Sequence, residues 1–170
     1  FEEKKTVSYA WNRLASCAKA RYFAMGNDDV IFRTKRWDIR LTQEINSYSN
    51  FGRQITTVFY FNDGIHTTGY RTRYQQKAKN GKPPHCAFPI ISNHWYRHLG
   101  YFVPEVFHFG FNDDWIHDIA DQLHRLHPIP DVYAEHMHLC VGKANLDQTY
   151  EDKQNASNSL YTLDLPIFKK

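Results

Sequence analysis

A short apolar run that stops at a glycine and turns at once through two acids constrains this chain more than any other feature. Tyr22-Phe23-Ala24-Met25 has the aromatic and apolar texture of a strand, and Gly26-Asn27-Asp28-Asp29 follows it directly. Open α/β sheets collect ligands at the carboxyl ends of their strands. Asn27, Asp28 and Asp29 are therefore candidate oxygen ligands, and hard oxygen donors of this kind suit Mg²⁺ or Mn²⁺ carrying a phosphate. A plain solvated turn uses the same residue types, because Asn and Asp side chains bond their own backbone.

The flanking segments alternate between helical and extended patterns, which predicts an α/β chain. Val7, Trp11, Leu14, Ala15 and Ala18 recur at helical spacing over about Thr6–Ala20, and Trp37, Leu41, Ile45 and Tyr48 mark a second helix. Ile55 to Phe61 is rich in β-branched and aromatic residues and ends in Asn62-Asp63-Gly64, so it predicts a strand and a turn. Gly69 to Pro84 lacks periodicity and predicts a surface loop. Cys86 to Ile91 predicts a short strand, weakened by Pro89, with Ser92 capping a helix that Gly100 ends after Leu99. In Phe111-Asn112-Asp113-Asp114-Trp115, Asn112 or Asp113 can serve as N-cap, and Trp115, Ile119, Leu123 and Leu126 form the apolar stripe of the helix. Acids at a helix start are also favoured by the macrodipole alone. After Pro128 and Pro130, Val132 to His138 alternates like a strand, which puts His136 and His138 on one face. Residues 1–146 form the expected catalytic domain, and the polar residues 147–170 a C-terminal tail.

Composition narrows the class. The chain has 170 residues, 42% of them hydrophobic and 16% aromatic, enough for one ordered domain with a substantial core. No apolar run reaches the length of a membrane span, and Phe1-Glu2-Glu3-Lys4-Lys5 is neither a signal peptide nor a start at Met, so a fragment is expected. The three cysteines, Cys17, Cys86 and Cys140, are odd in number and far apart, which argues against a disulfide framework or a Cys₄ zinc site and for a reducing, cytoplasmic compartment. A net charge of +3 is too mild to mark a nucleic-acid binder, and Arg71, Arg73, Lys77, Lys79 and Lys82 fit a solvated loop. Asn155-Ala156-Ser157 matches a glycosylation acceptor but lacks a secretory signal beside it.

Taken in order, these segments resemble a GT-A glycosyltransferase. The resemblance rests on Asn12 to Ala20, Tyr22 to Val30 with Thr34 and Trp37 after it, Phe88-Pro89-Ile90-Ile91-Ser92 leading to Leu99-Gly100-Tyr101-Phe102, Asn112-Asp113-Asp114-Trp115, and Glu135-His136-Met137-His138. It spans roughly residues 6–145. It implies a Rossmann-like mixed sheet flanked by helices, truncated before the helix that precedes the aspartate pair. The aromatic, Asn-rich texture is similar to that of compact viral or phage-encoded members, which would work in host cytoplasm. By resemblance, Asp28 and Asp29 occupy the DxD motif that binds Mn²⁺ or Mg²⁺ and the diphosphate of a nucleotide-sugar, with Asn27 where the family has its first acid. His136 or His138 completes the metal shell, and a carboxylate of the second acid cluster is the base of an inverting transfer.

The chemistry needs these residue types. Sugar transfer develops negative charge on the leaving diphosphate, which a cation stabilises, and the acceptor hydroxyl needs a base to become nucleophilic. Asp114 is the preferred base, with Asp113 taking the cap, because the helix dipole favours a charged carboxylate there. Asn27, Asn12, Trp95 and Lys143 make up the candidate substrate-binding set, the Lys143 ammonium being able to meet a phosphate. The partner is a nucleotide-sugar donor, with a glycan, protein or modified nucleic acid as acceptor. Two other classes use the same residues: a metal-dependent phosphoesterase or nuclease built on Asp28, Asp29, Asp113, Asp114, His136 and His138, and a non-catalytic carbohydrate- or nucleic-acid-binding module stacking ligands on Trp95, Tyr96, Tyr101 and Phe102.

Overall fold

The computed structural model describes residues 6–48, 54–65, 85–148, 151 and 160–169. The expected basic stretch from Arg71 to Lys82 and the Asn155-Ala156-Ser157 triplet lie outside them. Helix α1 (Val7–Cys17) is capped by Thr6, whose side chain accepts the Tyr9 N–H. It leads to β1 (Tyr22–Ala24) and, across the Gly26–Asp29 turn, to β2 (Val30–Phe32) and α2 (Trp37–Tyr48). A 3₁₀ turn (Gln54–Thr56) precedes β3 (Val58–Asn62). Then come β4 (Pro89–Ser92), α3 (Asn93–Leu99), α4 (Asn112–Gln122), β5 (Leu126–His136) and α5 (Leu160–Phe168). None of the helices among the described residues is long and apolar enough to cross a membrane.

The sheet is mixed, with strand order β1-β4-β3-β5-β2. Among the described residues only the β3–β5 pair is parallel. β3 and β4 are buried along almost their whole length, and alternate residues serve opposite faces, as the two-residue period of a strand requires. Val58, Tyr60 and Ile91 join Phe23, Trp95, Phe102 and Ile116 in one core, under α1, α3 and α4. Phe59, Phe61 and Ile90 join Leu41, Ile45 and Val132 in the other, under α2.

Several expectations are corrected. The expected strand from Val132 begins earlier, at Leu126, and ends at His136, so His138 lies beyond it and the shared strand face does not exist. The prolines are tolerated because the register jumps from Phe61↔Ile129 to Asn62↔Tyr133, leaving Pro130 and its neighbours outside the ladder with β3. Past this bulge the strand turns from its parallel partner β3 to its antiparallel partner β2. The stripe expected on α1 is rotated. Leu14 is exposed, whereas Ser8 is buried and donates to Phe107 O and to Asn112 Oδ1. Neither Asn112 nor Asp113 caps α4; the cap position is Phe111, in the left-handed region at φ 62° with no side-chain cap bond. The expected tail contains α5, whose Asp164 is fully buried.

Candidate functional site

The Gly26–Asp29 turn carries the chain from β1, at one edge of the sheet, to β2 at the other. Asp29 is thereby set against the end of β5, where its carbonyl accepts the Met137 N–H at 2.7 Å. Its Oδ2 is 3.1 Å from His136 Nε2. On the other side of the imidazole, Nδ1 lies 3.8 Å from Asp63 Oδ2, so the turn after β3 meets the turn after β1 at one histidine. Burial disfavours the His136 imidazolium, but the carboxylates of Asp63 and Asp29 on either side outweigh it and raise the pKa. Asp29 Oδ1 is buried and has no hydrogen-bond partner among the described residues. A carboxylate oxygen left unmatched in this way is costly unless something else occupies it.

A cavity of about 780 Å³ opens over this group. Asn27, Asp28, Asp29, His136 and His138 line it. So do Asp113 and Asp114 at the start of α4, together with an apolar wall that includes Val7, Trp11, Phe109 and Phe111. All six acid and imidazole groups expected at the metal and catalytic positions therefore share one cavity, together with Asn27 of the expected substrate set. His138 keeps its place despite lying past the strand, its ring centroid 5.0 Å from that of His136.

Three expected substrate groups are placed elsewhere. The Asn12 amide is spent inside the protein: its Oδ1 accepts from Phe102 N and Val103 N, and its Nδ2 donates to Val103 O at 2.8 Å. Trp95 is buried in the first core. Lys143 pairs with Glu135, which also takes Arg33 at 2.7 Å, and both cations hold the Glu135 pKa down. Glu135 precedes His136 in β5 and so points to the opposite face of the sheet.

His85 belongs to the site and had no signal in the sequence. It follows two prolines with no periodic pattern around it. Its Nε2 is 2.9 Å from Asp113 Oδ2 and its Nδ1 3.7 Å from Asp114 Oδ1. Burial again opposes the cation, and the hydrogen bond to Asp113 with the charges of Asp113, Asp114 and Asp63 raises the pKa overall. His117, one turn along α4 from Asp113, is shifted the other way by burial and by His85. Its Nδ1 accepts the Cys86 N–H at 3.2 Å, a role open only to a ring unprotonated at that nitrogen.

Carboxylate oxygens with an imidazole, as at Asp29 and His136, are donor types a divalent cation takes, and Asp29 Oδ1 is a buried acceptor with no hydrogen-bond partner among the described residues. Among the described residues, His85, Asp113 and Asp114 are the group of three whose ligand atoms lie within 4.8 Å of one another. There the hydrogen bond between His85 and Asp113 already accounts for the approach. The chain matches no protein-family model, no curated protein and no solved structure.

Proposed function

We propose that this chain is a metal-dependent, inverting glycosyltransferase of the GT-A type, moving a sugar from a nucleoside-diphosphate sugar to an acceptor hydroxyl. One observation carries the reading: the Asp29–His136 group, with its unmatched buried oxygen, shares a cavity with the Asp113–Asp114 pair. The first has the make-up of a cation and diphosphate site, and the second of a base. Asp29, Asp28, His136 and His138 would hold Mn²⁺ or Mg²⁺, which when bound supplies electrophilic stabilisation of the leaving diphosphate. Asn27 offers an amide to the donor from the same turn. The acceptor oxygen attacks the anomeric carbon, the bond from that carbon to the diphosphate oxygen breaks, and Asp114 takes the hydroxyl proton. Asp113, held by His85, keeps the pair in place. The acceptor class is a glycan, a protein or a modified nucleic acid, and the compartment is a reducing cytoplasm, in keeping with Cys17 and Cys86 as free thiols.

Titration calorimetry tests the cation site. A nucleoside diphosphate should bind the wild-type protein tightly only with Mn²⁺ or Mg²⁺ present, and Asp29→Asn should lose that dependence. Equal affinities with and without metal in both proteins would remove the metal role.

A second reading, a metal-dependent phosphoesterase or nuclease, is favoured by the compact His85–Asp113–Asp114 group. Rapid metal-dependent hydrolysis of phosphodiesters without any acceptor would select it. Of the four stacking residues of the binding-module reading, Trp95 and Phe102 are core residues, while Tyr96 and Tyr101 are half-buried.

A further inference from the structure

The segment between α3 and α4 reaches the cavity through Phe109, Gly110 and Phe111, and its conformation sets where Asp113 and Asp114 begin. It is held by an unusual contact. The Asp164 carboxylate, fully buried on α5, accepts the backbone N–H groups of His108 at 2.9 Å, Phe109 at 2.8 Å and Gly110 at 2.9 Å, and it meets His108 Nδ1 at 2.9 Å. Consecutive N–H groups converging on one carboxylate form an anion nest made from the chain itself. The following residue, Phe111, has φ 62°, a left-handed conformation that is unfavourable for a non-glycine residue and persists only where its surroundings enforce it. Phe168, also on α5, stacks on Phe111 with centroids 4.9 Å apart and planes 13° apart. From the other direction α1 fixes the same loop, through Val7 N to His108 O.

We propose that Asp164 is a positioning residue, through which the C-terminal helix clamps the 108–111 backbone in the conformation that presents Asp113 and Asp114 to the cavity. The catalytic part of this inference rests on the transferase reading; the clamp itself does not. Asp164 itself binds the 108–110 backbone, so its effect reaches the acids through the loop and the strained start of α4. The donor and cation groups around Asp29 lie on other elements.

The test combines amide hydrogen exchange with kinetics on the full chain carrying Asp164→Asn. The amides of 108–110 should exchange about 10- to 100-fold faster than in wild type, the range for losing hydrogen bonds to a buried charge. Turnover should fall by roughly tenfold to a hundredfold, as small misplacements of catalytic groups do, with nucleoside diphosphate affinity unchanged. Two controls separate the clamp from general weakening. Leu163→Ala, an exposed position on the same helix, should behave as wild type, and Ile45→Ala in the opposite core should lower Tm while raising exchange at 108–110 no more than at other core amides. If Asp164→Asn does not fold, Phe168→Leu, which removes the ring contacts with Phe111 and Phe107, should give the same pattern more weakly. Wild-type exchange at 108–110 in Asp164→Asn, or in Phe168→Leu where only that variant folds, overturns the clamp. Turnover and nucleotide affinity falling together overturns its catalytic role. A wild-type protein with no transferase turnover defeats the transferase reading instead, and the exchange rates then decide the clamp alone.

Discussion

His85 separates two neighbouring acids that the residue pattern leaves equivalent. Asp113 is bound to its Nε2 at 2.9 Å, and Asp114 is set back at 3.7 Å from Nδ1. Under the proposed transferase reading the held acid is the structural one and the other is the base, so Asp114→Asn should leave the fold intact and cut turnover by roughly two to four orders of magnitude. Proton NMR of the product should show inversion. Asp113→Asn should cost less turnover but alter stability in a pH-dependent way. His85 has a raised folded pKa, so its pairing contributes stability that is full below the unfolded value near 6.5 and lost as pH rises through the folded value. The Tm gap between wild type and Asp113→Asn should thus be widest at about pH 6 and close above the folded His85 pKa. A gap that widens with pH would reverse this assignment, and so would an Asp114→Asn enzyme at the wild-type rate.

At the scale of elements, Ser92 ties three pieces together. It ends β4, its hydroxyl accepts the Trp95 N–H to cap α3, and it donates to Ile55 O in the 3₁₀ turn. Ser92→Ala removes both bonds, of which the cap is worth about 1 kcal/mol and the part-buried bond to Ile55 O about 0.5–1.5 kcal/mol more. For a chain of this size the Tm should drop on the order of 3–10 °C, with α3 helicity reduced in circular dichroism. The Ser92 cap, the Gly100 stop at φ 82° and α2 were legible in the sequence because local chemistry dictates them. Other elements were not. β2 is three residues that become a strand only through pairing with β5, and α5 contains Pro166, which argues locally against the helix that tertiary contacts support. The candidate site divides the same way. The acid turns and His136 stand out by type and position, whereas His85 and Asp164 acquire their roles from contacts 28 and 56 residues away in the chain.

Across the whole molecule, the sheet is the shared wall of two cores and gives them a common fate. β3 alternates Val58 and Tyr60 into one core with Phe59 and Phe61 into the other, and β4 does the same with Ile91 and Ile90. Neither core can open without losing side chains that hold the same strands, which argues for a single cooperative transition. The tryptophans make this measurable: Trp11, Trp95 and Trp115 report on the first core, while Trp37 stacks on Phe32 beside the second, with ring centroids 3.7 Å apart. Ile116, 1% exposed in the first core, is the place to perturb. Ile116→Ala should destabilise by about 2–5 kcal/mol, from lost burial and the cavity left behind. Urea unfolding followed by fluorescence in wild type, in Trp37→Phe and in Ile116→Ala should match circular dichroism midpoint for midpoint, with Ile116→Ala shifting both probes equally. If the Trp37 signal kept its wild-type midpoint in Ile116→Ala, the α2 side would be unfolding on its own, and the sheet would be a seam between two units rather than a common wall.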